Sequence, residues 1–234
     1  MTDKTKTPSA PVKEPTTAVA VAAPLSADAV ALMIAESKGF LARMQLMTSN
    51  AEPCKEGKFP INHFAIVEGN DAFVDLGETV NCIPMAHRPL ALEWGEETVA
   101  IYDAKIMEVT PGKFAPTGEY ARIKNKADTG GMNSKAMYGV QFLLWLPTQQ
   151  RFATFFCGTI TLRNEVGNFV KMIGKSSTLV AKKISNKKNT WYSAVVKPCS
   201  EELDRSTDQE AVDSFLNPPA AEREAVGDKT PERG

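Results

Sequence analysis

The chain has 234 residues, of which 43% are hydrophobic, and its formal net charge is −1. This length accommodates one globular domain of about 150 to 180 residues with tails at its ends. No segment approaches the roughly 20 consecutive apolar residues of a membrane-spanning helix, and the 4 cysteines and 2 histidines lack the spacing of a zinc site.

The first 25 residues are rich in Thr, Pro, Ala and Lys and have no hydrophobic period, so we expect a disordered N-terminal arm. Its apolar stretch is short and interrupted by proline and threonine, which argues against a secretion signal. Ser26 is a suitable N-cap for a short helix that Gly39 can end. We therefore place the folded domain at residues 26–200.

From residue 40 onward, apolar and polar residues alternate with the two-residue period of half-buried strands. Glycine and asparagine supply turns between these segments. The predicted strands of this first part lie at residues 40–46, 63–67, 72–76, 79–85, 90–94 and 98–102.

Residues 111–134 are glycine-rich and basic, and we expect a long loop there, which in a compact domain is usually functional or disordered. Two hairpins follow, with a short helix between them at residues 165–173, capped by Asn164. The predicted strands of these hairpins lie at residues 138–146, 151–162, 178–184 and 190–197.

Short strands that recur about every ten residues favour an antiparallel barrel or sandwich over alternating strands and helices. The predicted fold class is mainly β: a small antiparallel β-barrel of the OB-fold type, with one or two short helices and disordered tails. In the OB-fold, one face of the barrel binds oligonucleotides.

The charge is distributed unevenly along the chain. Residues 104–198 contain 15 Lys and Arg against 4 acids, a net of +11, whereas residues 1–103 and 199–234 each have a net charge of −6. Lysines interleaved with aromatic residues on a sheet can contact phosphates and stack on bases. The candidate nucleic-acid-binding residues are Lys113, Arg122, Lys124, Lys126, Lys135, Arg151, Phe155, Phe156, Lys182, Lys183, Lys187, Lys188, Trp191 and Tyr192.

Trp191 and Tyr192 are neighbours in a predicted strand, so they face opposite sides of the sheet and at least one faces away from the core. Since Tyr192 shares its side with Ala194 and Val196, we predict that Trp191 is the residue that stacks on bases. Core or cross-strand packing is the alternative for these aromatics and for Phe155 and Phe156, and a solvated loop is the alternative for the lysines.

Residues 201–234 are predicted to form an acidic, disordered C-terminal tail that screens the basic segment or recruits replication or recombination proteins. Phe215 and Leu216 are candidates for a short partner-binding motif there. A disordered, solubilising tail is the alternative.

Catalytic motifs of the phosphate-binding-loop, nucleophile-elbow and zinc-protease types are absent from the sequence. Glu93, Glu96 and Glu97 cluster beside a glycine turn, where a solvated loop explains them better than a metal site. We therefore predict no catalytic residue, no metal and no cofactor, and we expect a protein that is not an enzyme.

The barrel pattern, the basic aromatic hairpins, the inserted helix and the acidic tail together resemble the OB-fold single-stranded DNA-binding proteins of tailed bacteriophages. The segments QLMTSN, EGKFP and FATFFCGT are also similar to segments of uncharacterised phage proteins. The resemblance implies a protein that coats single-stranded DNA without sequence specificity in viral replication or recombination. It would act in the cytoplasm, that of the host if viral, off the membrane, and as a monomer or homo-oligomer.

Two other functions stay open from the sequence. One is a viral structural or assembly protein whose basic β-barrel surface meets packaged DNA or a neighbouring subunit. The other is a hydrolase or nuclease that uses the glutamates near residue 95.

Overall fold

The computed structural model describes residues 41–68, 72–94, 98–101, 108–130, 134–185 and 190–217, with the backbone alone for residues 98–101. The predicted arm and helix before residue 41 lie outside this part of the chain. The strands are β1 Ala42–Leu46, β2 Phe64–Glu68, β3 Ala72–Gly77, β4 Thr79–Trp94, β5 Thr98–Ile101, β6 Glu108–Thr110, β7 Lys113–Phe114, β8 Ala136–Leu146, β9 Arg151–Cys157, β10 Ser177–Ser185 and β11 Thr190–Pro198. The helices are α1 Glu52–Lys55, α2 Gly118–Thr129, α3 Ile160–Lys171 and α4 Gln209–Leu216, and a 3-10 turn spans Pro147–Gln149.

The strands confirm the mainly β prediction but arrange differently from the expected antiparallel barrel. Nine strands form one sheet in the order β11-β10-β4-β8-β9-β1-β2-β3, with β5 paired to β4, and β6 and β7 form a separate pair. The neighbours β1 and β9 run parallel, which makes the large sheet mixed. Within the described ranges the order is open, with β11 and β3 at its ends, so the sheet is not a closed barrel.

Strand β4 is the longest element and organises the sheet. The sequence predicted two strands here, at residues 79–85 and 90–94, with an interruption between them. The structure keeps one strand and accommodates the interruption with a register shift between Pro84 and Ala86. The beginning of β4 pairs with β10, its remainder with β8, and its last residues also with β5.

The main core lies on the face of the sheet that α3 covers. Phe142, Phe155 and Phe169 are fully buried there, and the Phe169 ring lies 5.0 Å from that of Phe142 and 5.9 Å from that of Phe155. Helix α3 begins earlier than predicted, because the Thr159 hydroxyl accepts a hydrogen bond from the Leu162 amide and caps the helix. This cap ends the preceding strand at Cys157 rather than at residue 162.

The predicted basic loop contains a helix of 12 residues, α2. Tyr120, Ile123 and Ala127 recur at helical spacing and pack against Ala91 and Ala136 of the sheet. Two of the glycines that indicated a loop lie at the ends of this helix: its first residue, Gly118, has a φ of +51°, and Gly130 is its C-cap.

A second helix, α4, lies in the tail that was predicted to be disordered. The Asp208 carboxylate caps it, and its buried residues Val212 and Phe215 pack against Ala86 and Leu143, on the face of the sheet opposite α3. The tail therefore has a folded part up to residue 217, the end of the described chain. None of the described helices is long and apolar enough to cross a membrane.

Candidate nucleic-acid interface

Strands β10 and β11 extend past the rest of the sheet as a two-stranded ribbon. β10 pairs with β4 only over residues 177–180, and the Ala181 amide makes one further hydrogen bond, 2.9 Å long, to the Glu78 carbonyl. Beyond this point β10 pairs only with β11 in the described structure, as far as Ser185 and Thr190. This ribbon presents both of its faces beyond the sheet.

The ribbon carries a cation and an aromatic ring on each face. Lys183 lies opposite Tyr192, on the face that leads into the core through Ala194 and Val196. Lys182 lies opposite Ser193 and next to the Ile184–Trp191 pair on the other face. Both lysines are exposed, and both aromatic rings are partly exposed. We call Lys182, Lys183, Trp191 and Tyr192 the ribbon patch.

Neither lysine of the ribbon patch forms an ion pair with another described residue. Their ammonium groups are therefore available to an anionic partner. The predicted candidates Lys187 and Lys188 belong to the turn that joins the two strands, outside the described residues.

The cations of α2 are arranged differently, because they already face carboxylates. Arg122 donates to Glu93 at 2.6 Å and to Glu119 at 2.7 Å, and Lys126 also donates to Glu93. Hydrogen bonds from these two cations lower the pKa of Glu93 to about 2. Glu93 is thus the acceptor that fixes α2 to the end of β4, which is a structural role.

The other predicted basic residues of this region divide in the same way. Lys124 pairs with Asp128 of its own helix at 2.6 Å. Lys113 and Lys135 are exposed and have no ion pair in the described part of the chain. Only these two cations of the predicted basic loop and its border are left unpaired.

Three candidates on or beside β9 do not form part of an exposed site. Phe155 is 1% exposed and belongs to the main core, so its predicted stacking role is wrong. The next residue, Phe156, faces the other side of the sheet and is partly buried. Arg151 forms an ion pair with Glu68 of β2. Alternation along the strand decides the first two cases, since one of two adjacent aromatics has to enter the core.

The candidate residues therefore fall into two groups at opposite ends of β4. The ribbon patch continues from Thr79, where β4 begins, whereas α2 is fixed to Glu93, where β4 ends. The fold therefore does not bring the described candidate cations together on one surface.

The acidic tail contacts the sheet through apolar groups and hydrogen bonds. The Trp145 indole donates to the Asp204 carbonyl at 2.9 Å, and the Arg88 guanidinium lies 4.3 Å from the centre of the Phe215 ring. Arg88 also donates to the Phe215 carbonyl. None of the carboxylates in residues 201–217 forms an ion pair with a described residue, so charge pairing does not hold this segment in place.

Comparison with protein-family models, with curated proteins and with solved structures finds no match for this chain.

Proposed function

We propose that the protein binds single-stranded DNA without sequence specificity, through the ribbon patch. The observation that carries this function is the pairing of exposed, unpaired lysines with partly exposed aromatic rings on a ribbon that projects beyond the sheet. The ammonium groups would neutralise backbone phosphates, and the rings would stack on unpaired bases.

Stacking favours a single strand over a duplex, because the faces of duplex bases are already stacked on one another. It also gives little sequence preference, since every base offers a π-face. Replication or recombination of viral DNA is the proposed setting, and a relationship to the OB-fold stays a prediction, given the open strand order.

The test is fluorescence anisotropy with labelled oligo-dT and with a duplex of equal length. We expect binding to oligo-dT in preference to the duplex. The double variant Lys182→Gln/Lys183→Gln should bind oligo-dT less tightly, and the slope of log K against log salt concentration should decrease in magnitude by about 0.7 for each lost contact.

A matched control removes the same charge elsewhere. Lys55→Gln/Lys58→Gln also deletes two lysines, but these face Glu52 and Glu56 in and beside α1. This control should keep the affinity and the slope of the unchanged protein. If the unchanged protein does not bind oligo-dT, or if both double variants lose affinity equally, the proposed function is wrong.

A further inference from the structure

Tyr138 of β8 has a cation from each of two helices over its ring. The Arg163 guanidinium carbon, from α3, lies 4.0 Å from the ring centre, and the Lys124 ammonium nitrogen, from α2, lies 4.8 Å from it. The buried Tyr120 ring meets the Tyr138 ring edge-on at 6.3 Å. Packing against Tyr120 fixes the ring, and the ring in turn fixes the cations.

The two cations differ in the donors they leave open. Lys124 is bonded to Asp128, which also accepts a longer contact of 3.5 Å from the Tyr138 hydroxyl. Arg163 makes its ring contact but no ion pair or side-chain hydrogen bond with any described residue. A guanidinium placed over a ring keeps the N–H donors at its edges, in the fork geometry that matches two phosphate oxygens.

The charge of this cluster suits an anion. Lys124 and Arg163 contribute two positive charges and Asp128 one negative charge, which leaves a net charge of +1. Since aromatic contact already holds the Arg163 side chain, binding an anion costs less side-chain entropy than it would for a free arginine.

We propose that Arg163, held over Tyr138, binds a backbone phosphate of single-stranded DNA at a second contact site, separate from the ribbon patch. This inference rests on the proposed function and adds a residue to it. Tyr138 pairs with Ala91 near the end of β4, whereas the ribbon leaves the sheet at Thr79. A strand must therefore be long to occupy both sites at once.

The test compares Arg163→Gln with the unchanged protein on a short and a long oligo-dT. The short oligonucleotide should bind at the ribbon patch and be unaffected by the change. On the long oligonucleotide we expect about a tenfold loss of affinity, as for one charged hydrogen-bonded contact, and a salt slope smaller in magnitude by about 0.7.

Arg122→Gln is the matched control, since it removes the same type of charge from a side chain whose donors already face Glu93 and Glu119. It should leave both oligonucleotides bound as before. Arg163→Lys keeps the charge but not the planar fork, so it should bind the long oligonucleotide more tightly than Arg163→Gln and less tightly than the unchanged protein. If Arg163→Gln melts at a lower temperature than the unchanged protein, Arg163→Lys takes its place in the test.

Unchanged binding of the long oligonucleotide by Arg163→Gln would overturn the inference while leaving the ribbon patch intact. An equal loss on both lengths would also overturn it, because Arg163 would then share the site of the ribbon. If Arg163→Gln weakens the binding of an acidic peptide but not that of the long oligo-dT, the anion at Arg163 is a protein carboxylate and the inference is wrong. Absence of binding by the unchanged protein would count against the proposed function itself.

Discussion

Trp191 and Tyr192 test the ribbon patch at the scale of single residues. Tyr192 lies on the side of β11 that continues into the core through Ala194, whereas Trp191 lies on the opposite side with Ile184. We expect Tyr192→Ala to lower the free energy of unfolding by about 1 to 2 kcal/mol, less than for a fully buried ring. Trp191→Ala should leave stability nearly unchanged and weaken oligo-dT binding by about 1 to 3 kcal/mol.

Thermal melting and anisotropy titration separate these two effects. The conservative change Trp191→Phe keeps a stacking ring and should retain most of the affinity. In this variant, oligo-dT should no longer quench tryptophan fluorescence, because Trp191 is absent. Two alanine variants that both fold and bind like the unchanged protein would remove the ribbon patch from the binding site.

Glu93 determines how the attachment of α2 responds to acid. Its side chain is 17% exposed and accepts hydrogen bonds from Arg122 and Lys126, which lower the pKa of its carboxyl to about 2 in the folded protein. A depressed pKa stabilises the fold above the unfolded value of about 4.3, and this contribution is lost as the pH falls from there towards 2.

We therefore expect Glu93→Gln to lower the free energy of unfolding at pH 7 by about 1 kcal/mol. The deficit relative to the unchanged protein should shrink as the pH falls from about 5 to 2. Denaturant titrations across this range measure it. Glu119→Gln is the control, because Glu119 is exposed and bonded to Arg122 alone. A deficit that does not change with pH would show that Glu93 contributes nothing through its charge.

At the scale of elements, period-two patterning predicted most strands correctly, and the last hairpin agrees within one residue at each end. The failures have local causes. The break predicted between residues 85 and 90 lies inside β4, because the strand continues to pair with β8 after a register shift between Pro84 and Ala86. Helix α2 was predicted to be a loop because its segment is rich in glycine and lysine. Its buried side chains, Tyr120 and Ile123, pack against Ala91 and Ala136 of the sheet, which the sequence of the segment does not show.

Helix α4 was missed for a related reason. Its acidic composition is typical of a disordered tail, and only two of its side chains, Val212 and Phe215, are buried. They lie three residues apart, so they fall on one helical face. That spacing was a usable signal, but the sheet surface that receives them, Ala86 and Leu143, comes from distant parts of the sequence.

For the whole molecule, the charge along the sequence did not show which cations the fold leaves unpaired. The sequence did place Lys182, Lys183, Trp191 and Tyr192 close together, because they belong to the two strands of one hairpin. It could not identify the pairing of Glu93 with α2, or the position of Arg163 over Tyr138, because both depend on the order of strands in the sheet. Contacts between segments distant in sequence therefore decide which cations are available.

The fold and the charge of the acidic tail can be tested separately, because its charge is spread over residues that do not all belong to α4. Residues 201–217 contain six acids and one arginine, a net of −5, and residues 218–234 add only −1. Deleting residues 218–234 should leave stability and oligo-dT binding unchanged. Deleting residues 201–234 should speed association at low salt by removing a net −6 from a protein with a basic body, but should also lower the melting temperature by uncovering Leu143.

Two variants of the full chain divide these effects. Glu201→Gln/Glu202→Gln/Glu210→Gln removes exposed carboxylates that have no ion pair in the described chain, so it should raise the association rate without changing the melting temperature. Phe215→Ala keeps every charge but removes a ring that is 1% exposed, so it should destabilise the protein by up to about 3 kcal/mol. Stopped-flow association rates at two salt concentrations measure the effect of charge. If the glutamine variant binds oligo-dT no faster than the unchanged protein at low salt, the tail does not act on DNA through its charge. Its contribution is then the covering of the sheet by α4.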